Sequence, residues 1–210
     1  MKINAVLVDP QWPGSLHDMG TPRDNIVQAS GYIDLLMEGK TGWKTRQFLF
    51  DAIDSLGRRQ LGENWSSGRA TTVFGQQNTA IAAAVFMGSQ NAAVSVAGPS
   101  NNKSAALASA ADARHLPWSS VHAVHADTII IADDSVQCGM NKGQLNPSLI
   151  REGNTVIDLS KYPNESAFAE EARARGAKFL SPKDIFTEQL RLQFKALTNM
   201  ELPATALTDD

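Results

Sequence analysis

The stretch Ala70-Thr71-Thr72-Val73-Phe74-Gly75-Gln76-Gln77-Asn78-Thr79-Ala80 decides how this chain folds. Its first five residues are apolar or β-branched and suit a strand. Gly75 marks a turn, and residues 78–87 make an alanine-rich helix closed by Gly88. A strand, a glycine turn and a helix start are also what a dinucleotide crevice needs. The helix N-terminus offers free N–H groups and the positive end of its dipole to a pyrophosphate. Of the three glycines in the usual fingerprint only Gly75 is present. Gln76, Gln77 and Asn78 stand where bare backbone would let a phosphate approach. Two uses of the turn stay open: a dinucleotide laid over Gly75, Gln76, Gln77, Asn78 and Thr79, or a structural turn that binds nothing.

Working outward, the alternation continues. Residues 93–97 form the next strand, and residues 103–111 a helix capped by Ser100 or Asn101. The end of this second strand is where a Rossmann crevice reads the adenosine ribose. No acid stands there, so NADP is favoured over NAD, with Lys103 on the 2′-phosphate and Ser100 and Asn101 donating hydrogen bonds. A capped helix start with a solvated lysine is the other use. Residues 127–132, DTIIIA, are almost wholly apolar, as a strand covered on both faces requires. Further strands fall at 155–159 and 178–180, with a helix over 167–175 between them and a short one at 147–151. The last helix opens on Ser181-Pro182-Lys183-Asp184, with Phe186, Leu190, Phe194 and Leu197 as its buried stripe. Strands alternating with helices of this length predict an α/β, doubly wound, Rossmann-like parallel sheet. Residues 70–74 are expected at its centre, flanked by 93–97 and 127–132.

The N-terminal part is less regular. Residues 5–8 suit a short strand, and three prolines and two glycines make 9–23 a loop. Residues 32–37 suit a strand. Residues 44–56 carry a helical stripe, with Gly57 as its closing residue. The chain therefore divides into a short irregular extension, 1–30, and a Rossmann-like domain, 31–210.

Composition limits the function classes. The 210 residues hold 22 acids against 19 Lys and Arg, a net charge of −3, without the basic clustering that nucleic acid demands. No apolar run approaches the roughly 18 residues of a membrane span, and the first residues lack a secretory signal, so a cytoplasmic location is expected. One cysteine, Cys138, excludes an internal disulfide and a thiolate zinc cluster. His122 and His125 fall on opposite faces of an extended segment and do not predict a metal pair. His17 and His115 have no neighbours that point to catalysis.

Several segments together resemble the shikimate dehydrogenase family, in its NADP-binding lobe and closing C-terminal helices. Residues 153–166, GNTVIDLSKYPNES, resemble the family segment g-x-x-V-x-D-x-x-Y-x-P-x-x-T without gaps. Residues 172–177 follow like its A-x-x-x-G, and 185–194, IFTEQLRLQF, are similar to its M-L-x-x-Q-x-x-x-x-F. Residues 127–132 and then Gly139-Met140 resemble D-x-I-I-N-x-T-P-x-G-M with an insertion. Gly42-Trp43-Lys44-Thr45-Arg46 falls where the family has G-x-N-T-D.

The resemblance implies a nicotinamide enzyme in which a lysine and an aspartate flank the substrate hydroxyl. Here Arg46 stands at the aspartate position, a charge reversal. No segment like the lysine-bearing N-V-T-x-P-x-K occurs, and about 30 residues stand where a whole lobe is expected. Lys44 replaces the asparagine, Lys161 replaces the tyrosine, and Gly98-Pro99-Ser100 replace the N-R-T reader of NADP. Gly139 and Met140 remain as cofactor contacts, and Thr45, Lys161 and Gln189 as the implied substrate contacts. Asp158 is retained too, and as an acid at a strand end it also suits capping of a neighbouring helix. These substitutions imply an oxidoreductase scaffold with a degenerate catalytic site and weak NADP binding. A non-catalytic module for protein association or small-anion binding is the alternative. If Lys44, Arg46 and Lys161 share one cleft, that cleft is cationic and suits a small carboxylate or a phosphate. A homo-oligomer, or a partner chain supplying a lobe, would complete the site.

Overall fold

The computed structural model describes residues 4–8, 19–22 and 24–203. The expectations for His17, for most of the 9–23 loop and for the tail beyond Pro203 lie outside these residues. Among the described residues, sixteen strands and α-helices follow one another. Strands β1 (Ala5–Leu7) and β2 (Thr21–Pro22) come first, then α1 (Asn25–Ser30), β3 (Leu35–Gly39), β4 (Gly42–Arg46) and α2 (Leu49–Leu61). The alternating part comprises β5 (Ala70–Phe74), α3 (Asn78–Ser89), β6 (Ala93–Ala97), α4 (Asn101–Ala110), β7 (Arg114–His115), β8 (Thr128–Ile131), β9 (Thr155–Asp158), α5 (Ala167–Ala174), β10 (Lys178–Leu180) and α6 (Pro182–Thr198).

The large sheet has six strands in the order β10-β9-β8-β5-β6-β7, and every pairing in it is parallel. β5 lies at the centre with β6 on one side and β8 on the other, as the sequence predicts. Both faces are covered, and the period of two sorts the side chains. Val73, Val96, Ile130 and Ile157 join α2, α3 and α6 in one core, which includes Phe50, Ile53, Phe86 and Met87. Phe74, Ile129, Ile131 and Val156 point the other way, onto Phe168 and Ala172 of α5 and onto Val136, Leu145 and Ile150 from the long β8–β9 connection. Helix α3 is alanine-rich because it runs between other elements: seven of its residues are buried. Small side chains let it lie close to the sheet.

A second sheet, in the order β1-β3-β4-β2, is built from the first 46 residues. β3 and β4 form an antiparallel hairpin, β1 pairs antiparallel with β3, and β2 runs parallel to β4. The division at residue 30 therefore cuts across this sheet, because β1 and β2 are paired with strands on its far side. The helix expected from residue 44 begins at Leu49, since residues 42–46 are taken up by pairing with β3.

Two further details differ from the expectation. Gly57 does not close α2; it lies inside the helix with the Trp65 indole packed on it, and a Cβ there would come 2.4 Å from Trp65 Cε2. In α6 the inward face is Pro182, Ile185, Glu188, Gln189 and Gln193, while Phe186, Leu190 and Phe194 are half-buried and Leu197 is exposed. The polar residues turn inward because each meets a buried partner: Glu188 accepts from Ser55 Oγ, and Gln189 and Gln193 reach Asp34. Ser181 sits at the N-cap of α6, but its hydroxyl makes no capping bond.

The Gly57 contact gives a test. Gly57→Ala gains about 1 kcal/mol of helix propensity but drives a methyl into the indole, and overpacking of this kind costs about 1–3 kcal/mol. Urea denaturation should therefore show a net loss of stability; a gain would mean that Trp65 is not held against the helix.

Candidate functional site

The strands of the large sheet end at a cleft of about 210 Å³. It is lined by Tyr32, Leu49, Gln77, Thr79, Ala132, Asp133, Asp134, Leu159, Ser160 and Tyr162. Those residues come from the C-terminal ends of β8 and β9, the start of α3, the start of α2 and the segment before β3. Crevices outside the carboxyl ends of parallel strands are where open α/β sheets bind ligands.

A buried chain of polar groups backs this cleft. Asp34 is completely buried, one residue before β3. Its Oδ2 accepts from Phe48 N at 2.8 Å, Leu49 N at 2.9 Å and Gln189 Nε2 at 2.7 Å. The first two donors are free amides at the start of α2, so Asp34 caps that helix from fifteen residues away. Asp34 Oδ1 has no hydrogen-bond partner. Burial raises the carboxyl from its ordinary 3.8 to about 6, against the lowering effect of its donors. Gln189 completes the chain by accepting from Tyr162 OH at 2.5 Å. The Tyr162 phenol is pushed well above its usual range by burial and by the nearby Asp34 charge.

The second constellation lies at the Gly75 turn. Asp133 follows β8 and is 6% exposed. Its Oδ2 accepts from Gln76 N and Gln77 N, both at 2.9 Å. Its Oδ1 accepts from Ser135 N at 3.1 Å and from the Ser135 hydroxyl. A Cβ at Gly75 would lie 2.5 Å from Asp133 Oδ2, so the glycine is needed for this carboxylate to approach. The Gln76 side chain folds over Gly98, and its Nε2 donates to Ser100 O at 3.2 Å. Gln77 Nε2 donates to Asp134 Oδ1 at 2.6 Å.

The residues singled out from sequence separate into groups. Gln77 and Thr79 line the cleft, and Gln189 stands behind it on Tyr162. Asn78 and Lys103 are exposed, and Asn101 Oδ1 is committed to Trp118 N at 2.9 Å. Thr45 is fully buried and its hydroxyl makes no hydrogen bond. Gly139 packs against Gln144, and Met140 is 84% exposed. Asp158 braces the α5 cap: it accepts from Ser160 N and Oγ and from Ser166 Oγ, and Ser166 caps Phe168 N.

The cationic cleft expected from Lys44, Arg46 and Lys161 is not formed. Arg46 pairs with Asp51 at 3.5 Å, and its guanidinium lies 4.2 Å from the Phe48 ring centroid. The Lys44 stem runs along Gly39 on the hairpin. Lys161 lines a neighbouring hollow with Gln137, Cys138 and Gln144. None of the three lines this cleft, whose charged lining residues among those described are Asp133 and Asp134.

Sequence reasoning missed Asp34, Asp133, Ser160 and Tyr162. Two of them left a signal: Asp34 is an acid inside the apolar run YIDLL, and Asp133 follows the apolar strand at its ligand-facing end.

The fold joins a six-stranded parallel sheet, a small mixed sheet and a closing C-terminal helix whose Gln189 and Gln193 reach Asp34 beside β3. Solved structures share it. Shikimate dehydrogenase from Aquifex aeolicus superposes with a TM-score of 0.79 at 14% identity, over 98% of this chain and 76% of that one. Quinate dehydrogenase from Corynebacterium glutamicum, in complex with NAD, gives 0.77 at 15% identity, over 97% and 76%. Shikimate 5-dehydrogenase from Thermus thermophilus, in complex with NADP(H) and shikimate, gives 0.75 at 17%, over 97% and 76%. The chain has the shikimate dehydrogenase fold. At these identities the likeness speaks for the fold alone, and the aligned region takes in the small sheet as well as the large one. No family model and no curated protein matches the chain. No helix among the described residues is long and apolar enough to cross a membrane.

The dinucleotides bound by those neighbours do not fit the turn as it stands here. The amides of Gln76 and Gln77 that would face a pyrophosphate already bond a buried carboxylate.

The raised Asp34 pKa has a testable sign. Its contribution to stability is complete below the unfolded value of 3.8 and is lost as pH rises through about 6. The difference is about 3 kcal/mol. Relative to Asp34→Asn, which keeps an acceptor oxygen without the charge, the protein should lose about that much between pH 4 and pH 7. Denaturation midpoints of both proteins across this range would check it, and parallel curves would refute it.

Proposed function

We propose that this chain is a shikimate dehydrogenase-like protein with a degenerate catalytic site. In this reading an oxidoreductase scaffold holds a small, uncharged polar ligand in the cleft and does not carry out shikimate-type oxidoreduction. The observation that carries it is the place of Arg46. At the position that resembles the family aspartate there is a cation, drawn into an ion pair with Asp51 and stacked on Phe48. No acid or base stands there for a substrate hydroxyl. General acid–base help is worth about 10²–10⁴-fold in rate, so a small shift of geometry does not replace it.

The cleft supports an uncharged ligand over a carboxylate. Ser160, Thr79, Gln77 and two tyrosines supply hydroxyl and amide groups, and the charged lining residues among those described are acidic. A carboxylate entering there meets like charge without a compensating cation. The tyrosine rings and Leu49 add apolar surface for a ring face. NADP binding through Lys103 and Ser100 belongs to this reading only as a weak contact, and no chemical step is routed through it.

Steady-state assays with shikimate and quinate at saturating NADP test the reading. Turnover should fall below the usual range of about 1–10³ per second by at least two orders of magnitude. Turnover inside that range would overturn it. Arg46→Asp should not restore activity, because the substitution removes the cation that Asp51 pairs with and sets a second carboxylate near it. Calorimetry with a neutral cyclic polyol and its carboxylate analogue should favour the neutral compound.

A further inference from the structure

We propose that Asp133 is a built-in competitor for dinucleotide phosphate, and that with Gln76 it keeps the nucleotide half of the crevice closed. This rests on the fold reading above and not on the loss of turnover. Three observations carry it, each at a different part of the crevice. At the turn, Asp133 Oδ2 takes the two amides of Gln76 and Gln77 at 2.9 Å each. These are the groups that a helix N-terminus offers to a pyrophosphate. At the ribose end, the Gln76 side chain lies on Gly98 and bonds Ser100 O, filling the space between the ends of β5 and β6. Between them, the Gln77 side-chain amide is tied to Asp134 Oδ1 at 2.6 Å.

The competition favours the internal group for two reasons. Asp133 is tethered, so it occupies the amides without losing the translational and rotational freedom that a diffusing phosphate must give up. Its other oxygen is held by Ser135, so leaving the turn breaks four hydrogen bonds around a buried carboxylate. A phosphate cannot enter beside it either, since two anions would then share one set of donors. The closeness that Gly75 permits is therefore spent on a side chain of the protein. Asp133 sets specificity here: it turns a dinucleotide crevice into one that admits only the cleft ligand.

The test uses the full chain, NADP⁺ and inorganic pyrophosphate. In the unaltered protein, calorimetry should show binding of both that is weak or absent. The ¹⁵N-resolved amide signals of Gln76 and Gln77 should not move. In Asp133→Ala both probes should bind at least about tenfold more tightly, equivalent to about 1.4 kcal/mol. The two amide signals should then shift on titration. Gln76→Ala should tighten NADP⁺ but leave pyrophosphate unchanged, because pyrophosphate has no ribose to enter the second space. If Asp133→Ala does not fold by circular dichroism, Asp133→Asn replaces it, with the same direction expected because the charge is gone. Equal affinity in the unaltered and altered proteins overturns the proposal, whether both bind or neither does. So does tighter binding without movement of the Gln76 and Gln77 signals. NADP⁺ binding to the unaltered protein as tight as to Asp133→Ala, without turnover, overturns this proposal and leaves the degenerate-site reading standing; turnover bears on that reading alone.

Discussion

A carboxylate buried to the last atom joins three parts of this protein. Asp34 stands at the entry to the small sheet, holds the first amides of α2 and receives the side chain of Gln189 from α6. The Gln193 amide reaches the same residue through its backbone oxygen at 3.4 Å. The closing helix therefore turns a polar face inward, against the ordinary rule, because its partners inside are polar. The cost is one carboxylate oxygen without a partner. That oxygen is the natural place for a proton, since the other accepts three bonds. The charge state of one group thus touches the packing of the small sheet, α2 and the C-terminal helix.

The same logic recurs at the opposite wall of the cleft. Asp133 satisfies amides that a Rossmann turn ordinarily leaves for its ligand. Asp158 does so less directly, by holding the Ser166 cap of α5. Each acid follows or ends a strand of the parallel sheet, where backbone donors converge. Carboxylates placed there supply internally the negative charge that helix N-termini favour. The crevice is left small, with hydroxyls, amides and two carboxylates on its wall and no cation among the described residues.

The architecture of the large sheet was legible in the sequence. DTIIIA could be buried on both faces, ATTVF ended at a glycine, and each helix between had turn residues at its ends. Local pattern and tertiary arrangement agree there because hydrophobic period and connection handedness leave few alternatives. The first 46 residues were less legible. Their strands are two to five residues long and gain pairing only through contacts far apart in sequence. In α6 the apolar stripe was visible, but the face that turns inward was set by Asp34 and Ser55, residues more than a hundred positions away.

The sequence by itself determined the place of residues 70–74 between 93–97 and 127–132, the alternation of helices and a cation at position 46. These follow from residue type and spacing along one chain. Only the tertiary structure decided where the charges went. Arg46 finds Asp51 and Phe48, Asp34 finds Gln189, and Asp133 finds the Gln76 and Gln77 amides. An ion or a hydrogen-bonding group takes its role from the partner it meets within about 3 Å. Where that partner comes from a distant element, local pattern carries no trace of it.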